Sequence, residues 1–239
     1  MSGGQTAALF YKIRVIIMGK LIVIEGLDGS GKSTQIERLI ERLNEKNITF
    51  KQIKLPDYES DSSAVVKMYL NGDFGKNPND VNAYAASAFY TVDRFANYKT
   101  KWKQDYDNGV LIIADRYTAS NAYHQATKLP QEEWDSFFDW LSDFEYKKIG
   151  VPEPDAVIYL DMPVEISQKM MSGRYNGDEN KKDIHEKNIS YLNKCRVAAK
   201  HAAAKLGWYL IDCSDGENPR SIDSISAEIY EILEKMLDF

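Results

Sequence analysis

Gly26-Leu27-Asp28-Gly29-Ser30-Gly31-Lys32-Ser33-Thr34 decides the fold. It satisfies the spacing G-x-x-x-x-G-K-[ST], and its flanks are the ones that this spacing requires. Before it, Lys20–Glu25 (KLIVIE) is an apolar run of strand length, as a strand buried on both faces should be. After it, Ile36, Leu39, Ile40 and Leu43 recur at helical spacing over Gly31–Asn44. Strand, glycine turn and helix in that order build a phosphate cradle. Gly26, Gly29 and Gly31 let backbone N–H groups around Ser30 turn inward onto phosphate oxygens. Lys32 is expected to reach the β- and γ-phosphates of a nucleoside triphosphate, and the Ser33 hydroxyl to ligate Mg²⁺. The competing reading is a plain glycine turn with a solvated lysine, and the strand and helix on either side weigh against it.

Outward from the loop, Val110–Ala114 (VLIIA) is another buried strand, the third in chain order, and Asp115-Arg116-Tyr117 follows it directly. An acid at the end of a strand beside the loop strand is placed to hold Mg²⁺ through water. Charged residues at the carboxyl ends of strands in open α/β sheets face the ligand crevice. Thr49–Leu55, Ala156–Leu160 (AVIYL) and Trp208–Asp212 read as three further strands. Helices are predicted over Ser62–Leu70, over Val81–Asp107 with Asn79 or Asp80 as cap, over Val164–Ser172, over Asp183–Leu206 and over Ser221–Leu237. Trp134, Phe137, Phe138, Leu141 and Phe144 form a further apolar helical stripe, read as core. Alternating strands and helices predict a three-layer α/β/α fold around a five-stranded parallel sheet. Gly173–Lys182 (GRYNGDENKK) is polar and glycine-containing, and reads as a loop suited to a short lid.

Composition narrows the function. With 44% hydrophobic and 28% charged residues, the chain is ordinary globular protein. A net charge of −6 argues against a broad basic surface for a nucleic-acid polymer. No stretch approaches the ~20 apolar residues of a membrane span. Cys195 and Cys213 match no metal or redox spacing, so a reducing, cytoplasmic setting is expected. The natural start is expected near Met18, with 1–17 an N-terminal extension and 18–239 one domain. No N-K-x-D-like segment follows a strand, which speaks against a GTPase. An acceptor site and a closing lid are what a kinase of small molecules needs, and the chain offers both.

Taken with KLIVIEGLDGSGKSTQ, the LPDY turn (Leu55–Tyr58), FYTVDRF (Phe89–Phe95), ADRYTASNAYHQA (Ala114–Ala126) and EPDAVIYLDMP (Glu153–Pro163), the sequence resembles the thymidylate kinases. The resemblance runs from about Gly19 to the C-terminus. It implies a P-loop NTPase-like fold, transfer of the γ-phosphate of ATP to dTMP with Mg²⁺, and a homodimer formed through long helices such as Val81–Asp107. Lys32, Ser33 and Thr34 then match the ATP-phosphate and Mg²⁺ positions, with Asp115 as the second metal position. Asp28 matches the loop aspartate facing the acceptor phosphate, and Arg116 the arginine that contacts that phosphate. Tyr90 stands where relatives usually have a Phe stacked on thymine, and Arg94 matches the arginine that hydrogen-bonds the base. Ser120 and Asn121 match positions lining the base pocket. His124 and Gln125 fall where many relatives have Tyr-Gln near the deoxyribose.

Two departures from the family stand out. Where relatives often have Pro-x-Arg after the second strand, this chain has Pro56-Asp57-Tyr58, so Tyr58 replaces the arginine on the acceptor phosphate. Arg116, with Lys67, is left to hold that phosphate. Some relatives place a catalytic arginine at the position of Gly29; without it, the lid is expected to supply the cation, and Arg174 is the candidate, backed by Lys181 and Lys182. Two alternatives stay open. A deoxynucleoside kinase would use a carboxylate after the second strand, Asp57 or Glu59, to deprotonate a 5′-hydroxyl. A nucleotide-binding sensor would bind without turning over, since Tyr58 and Ile184 replace expected arginines.

Overall fold

The computed structural model describes residues 19–174 and 189–237. The strands are β1 (Leu21–Gly26), β2 (Phe50–Lys54), β3 (Leu111–Asp115), β4 (Ala156–Asp161) and β5 (Tyr209–Asp212). They form one sheet in the order β2-β3-β1-β4-β5, with every pairing parallel. β1, β3 and β4 are buried at every residue, which is why they read as unbroken apolar runs. The chain leaves β1 toward one edge of the sheet and returns for β4 on the other side. A crevice opens outside the carboxyl ends of the strands at such a reversal.

Alternate residues of β1 serve opposite layers. Ile22 and Ile24 pack with Ile36, Leu39 and Leu43 of α1 (Lys32–Glu45) and with Ile225, Ile229 and Leu233 of α9 (Ile222–Leu237). Leu21 and Val23 face the other layer, with Tyr98, Trp102 and Tyr106. A third apolar body joins α5 (Thr118–Ala126), α6 (Trp134–Ser142) and α8 (Ile189–Leu206). Ala198, Ala199 and Ala202 of α8 bury fully there, small enough to let α8 approach α5 closely. Trp134, Phe137, Phe138 and Leu141 are core as expected; Phe144 is half-buried and stacks on Trp140, with ring centroids 5.1 Å apart.

The stretch expected to be one helix over Val81–Asp107 is helical without a break from Ala83 to Asp107, but it is not regular throughout. α3 (Ala83–Asn97) passes into a wide π-type turn, Tyr98–Trp102, and then α4 (Lys103–Asp107). Tyr98, Trp102 and Tyr106 are four residues apart. In a regular helix they would drift about 80° around the axis, and the wider turn helps keep all three rings on the sheet. The cap is Asn82, whose Oδ1 accepts from the N–H of Ala85 at 2.8 Å, and not Asn79 or Asp80. Asp80 closes a separate turn on the N–H of Asn77. A short helix, α2 (Ala64–Asn71), precedes this region. A second π-type turn, Asp143–Ile149, extends α6.

α7 (Val164–Arg174) runs two residues past the predicted Ser172, so Gly173 and Arg174 belong to a helix and not to the loop. The rest of the expected lid, the predicted start of the next helix at Asp183, and residues 1–17 lie outside the described residues. Among the described residues, no helix is long and apolar enough to cross a membrane.

Candidate active site

The glycine loop joins β1 to α1 at the carboxyl edge of the sheet. Gly31 caps α1 with φ +92°, and no side chain fills the cap. The first-turn N–H groups are thereby left for an anion. Gly29 has φ +77°, and a Cβ there would come within 2.9 Å of Met171 Cγ and 3.0 Å of the Ser167 carbonyl. Any side chain at this position, an arginine included, would therefore crowd α7 on a backbone conformation that favours glycine. Lys32 is buried, and its Nζ donates to the carbonyls of Gly26 (2.8 Å) and Leu27 (3.0 Å). Burial pulls its amine down to about 8, helped by the charge of Arg116 and opposed by Asp28, Asp115 and Glu25.

Arg116 stands where loop and β3 meet. Its φ is +69°, a left-handed conformation uncommon outside glycine. Nη2 donates to Asp28 Oδ1 at 2.6 Å; Nη1 donates to the Tyr123 hydroxyl at 2.9 Å and to Ser120 Oγ at 3.3 Å. Beneath them lies Glu25, wholly buried, accepting from the Tyr117 N–H (2.9 Å), Ser120 Oγ (2.8 Å) and the Tyr123 hydroxyl (2.9 Å). Glu25 therefore orients the two hydroxyls that hold Arg116. It was not singled out from the sequence, although an acid closing the run KLIVIE is itself a signal. Burial tends to raise the Asp28 carboxyl, but the charges of Arg116, Lys32 and His124 outweigh it and hold the group well below the usual range.

Asp115 and Ser33 line the same cavity. Asp115 Oδ1 is buried with no hydrogen-bond partner, and Oδ2 lies 3.9 Å from Lys54 Nζ. An orphaned carboxylate oxygen and a hydroxyl lining one cavity form a fitting donor set for Mg²⁺, a hard cation that prefers oxygens and shares its shell with phosphates. Among the described residues, no group of three or more His, Cys, Asp or Glu could hold a metal unaided.

From the loop, a cavity of about 340 Å³ extends away past Arg116 to Tyr58, Tyr90, Arg94, Asn121 and Gln125. Asp28, Gly29, Gly31, Ser120 and His124 line it too, whereas Gly26, Ser30 and Thr34 belong to the loop without lining it. Arg94 is fixed from behind: Nε and Nη2 bind the Glu145 carboxylate at 3.1 and 2.7 Å, and Glu145 Oε1 also accepts from Thr91 Oγ1 at 2.7 Å. Glu145 sits in the second π-type turn with no solvent exposure, and nothing in its sequence neighbourhood distinguished it. Nη1 is the Arg94 nitrogen left for a ligand. Tyr90 meets Tyr69 edge-on, their centroids 6.4 Å apart. Asn121 donates to the Ser87 carbonyl at 3.3 Å, and Gln125 Oε1 is buried without a partner. His124 Nδ1 lies 3.1 Å from the Tyr191 hydroxyl.

The turn after β2 differs from expectation. Lys67 donates to the Tyr58 carbonyl at 3.1 Å and does not line the cavity, so it does not stand in for the missing arginine. Asp57 is spent on Asn97 (2.9 Å) and Lys101 (2.5 Å), while its N–H is held by Asp93 Oδ2 at 2.8 Å. Neither Asp57 nor Glu59 lines the cavity. The base that a deoxynucleoside kinase needs is therefore not supplied from this turn.

The thymidylate kinase family model matches residues 24–221. A thymidylate kinase of Mycobacterium tuberculosis is 28% identical over 79% of this chain and 87% of its own length. One of Caenorhabditis elegans is 32% identical over 62% and 66%, and one of Dictyostelium discoideum 27% identical over 92% and 87%. The structure of thymidylate kinase from Candida albicans shares the fold, with a TM-score of 0.66 at 24% identity and coverage of 91% of this chain and 92% of that one. Glycine loop, Asp115-Arg116 strand end and acceptor cavity all fall within the matched span, and this chain belongs to the thymidylate kinase family.

Proposed function

We propose that this chain transfers the γ-phosphate of ATP to dTMP, giving dTDP. The observation that carries the reading is the single cavity running from Lys32 and Asp28, past Arg116, to Arg94 and Tyr90. It offers a donor end and an acceptor end with one guanidinium between them. At the donor end, the β- and γ-phosphates of ATP replace the Gly26 and Leu27 carbonyls as partners of Lys32. Ser33 and, through water, Asp115 would hold Mg²⁺, which supplies charge neutralisation on the phosphates. At the acceptor end, Tyr90 offers a face for the base, and Arg94 and Asn121 its polar edge. Asp28 keeps Arg116 pointed at the junction where the phosphoryl group crosses. Phosphoryl transfer leaves little covalent work for the protein, so positioning and electrostatic stabilisation carry the rate.

Arg174 is proposed as the lid cation. Ser167 and Met171 of α7 rest on Gly29, and Arg174 follows three residues after Met171 on the same helix. The helix that carries Arg174 thus packs on the loop proposed to hold ATP. A homodimer through α3 fits the exposure of Tyr84, Val92 and Phe95 along it. Both cysteines are unpaired and buried, in keeping with the reducing cytoplasm. A coupled ADP-release assay across dTMP, dUMP, dCMP, dGMP and thymidine tests the reading. Turnover with dTMP is expected. Turnover on thymidine but not dTMP would establish a nucleoside kinase, and tight binding without turnover a sensor.

A further inference from the structure

Among the described residues, four lysine and arginine side chains line the cavity: Lys32, Lys54, Arg94 and Arg116. Three are committed. Lys32 is tied into the ATP loop, Arg94 to Glu145, and Arg116 to Asp28, Tyr123 and Ser120. Lys54 is different. Among the described residues its one ion contact is the 3.9 Å approach to Asp115 Oδ2, beyond hydrogen-bond length, and its side chain is 71% exposed. Its base is nonetheless fixed. It is the last residue of β2 and pairs in register with Asp115, the last of β3. The turn that follows is pinned where the backbone N–H of Asp57 donates to Asp93 Oδ2 at 2.8 Å. A fixed Cα at the carboxyl edge thus carries a movable amine into the cavity.

The geometry points to Lys54 as the cation that meets the acceptor's phosphate, in place of the arginine that the turn after β2 lacks. This rests on the reading as a nucleoside monophosphate kinase. The other lysines around the turn are occupied elsewhere: Lys67 on the Tyr58 carbonyl and Lys101 on Asp57. An ammonium on a four-carbon stem can serve as a point charge without the bidentate geometry that an arginine demands. Asp115, the carboxylate within its reach, is also suited to Mg²⁺, and a carboxylate so engaged holds a lysine less.

Calorimetric binding of dTMP and of thymidine to the full-length chain tests this, with Lys54→Met and Lys54→Arg. Thymidine lacks the phosphate and reports on the base site alone. In Lys54→Met, dTMP affinity should fall about tenfold, the scale of one lost charged contact. Thymidine affinity, the KM for ATP and Tm should hold, and Lys54→Arg should recover most of the dTMP loss. Equal losses for dTMP and thymidine, or no recovery in Lys54→Arg, would overturn the assignment. Undiminished dTMP binding by Lys54→Met, in a chain whose wild type turns dTMP over, would overturn it alone. A wild type that phosphorylates no monophosphate would bring down the functional reading and this assignment with it.

Discussion

Arg94 has two jobs that a three-variant cycle can separate. It lines the acceptor cavity, and it neutralises Glu145, which has no solvent exposure. Arg94 itself is 3% exposed, and two charge-assisted hydrogen bonds of 3.1 and 2.7 Å join the pair. Removing one partner of such a pair strands the other's charge and costs about 3–5 kcal/mol. At 2–4 °C per kcal/mol for a domain of this size, Arg94→Ala should lower Tm by roughly 6–20 °C. Glu145→Leu should do the same from the other side. The double variant Arg94→Met/Glu145→Leu strands neither charge and should recover most of the loss. Thr91 Oγ1 loses Glu145 in the double variant but keeps the Ser87 carbonyl at 2.9 Å.

Activity should not follow stability. Arg94 lines the cavity and is proposed to contact the base, so KM for dTMP should stay raised in both Arg94→Ala and the double variant. KM for ATP should move little, since nothing of this pair reaches the glycine loop. Thermal melts and two-substrate kinetics on the same preparations read both quantities. If the double variant regains both Tm and dTMP KM, Arg94 is purely structural and the base-contact reasoning fails. If Arg94→Ala melts within two degrees of wild type, the buried-pair argument itself is wrong.

Lys32→Ala should abolish measurable turnover, a loss of more than about a hundredfold, with little change in melting; residual activity near wild type would refute the loop assignment. ATP affinity should depend on pH through the same lysine. Its amine titrates near 8 when free, and bound phosphates must raise that value. Binding then takes up a proton above pH 8 and weakens by up to about tenfold per unit, while staying flat below. Titration calorimetry in buffers of different ionisation enthalpy checks the uptake, and a flat profile from pH 7 to roughly 9.5 contradicts it. Arg174→Ala should lower kcat at least about tenfold with little change in either KM, because a lid cation acts only in the closed state. Adding Lys181→Ala and Lys182→Ala should deepen the loss; full kcat in the triple variant would mean that the lid contributes no cation.

The sequence made the donor end legible because its chemistry is local. Nine consecutive residues build the loop, and a buried strand runs straight into Asp115-Arg116. The acceptor end was legible only through resemblance, since Tyr90, Arg94, Asn121 and Gln125 each look like ordinary helix residues. The partners that fix the site were not legible. Glu145 is 51 residues from Arg94, and Glu25 is 92 from Tyr117. No periodicity reports a hydrogen bond across such distances. The π-type turn inside the long helical stretch was not legible for a related reason: the four-residue spacing of Tyr98, Trp102 and Tyr106 reads locally as ordinary helix, and nothing in the neighbouring sequence marks the wider turn.

Glu25 shows why Arg116 is held in place before any substrate arrives. A carboxylate with no exposure is costly unless its lone pairs are met. All three of its donors, the Tyr117 N–H, Ser120 Oγ and the Tyr123 hydroxyl, lie within eight residues of Asp115. The end of β3, the turn at Arg116 and the first turns of α5 are thereby tied to the end of β1 as one unit. That tie sustains the left-handed backbone at Arg116, which on its own would cost about 1–2 kcal/mol. The same unit directs Nη1 onto two hydroxyls and leaves Nη2 to Asp28. A guanidinium held on both sides loses little freedom when a phosphate meets it. The stabilisation proposed for Arg116, charge offered to a phosphoryl group in flight, would therefore be built into the fold and would not have to be assembled at the moment of reaction.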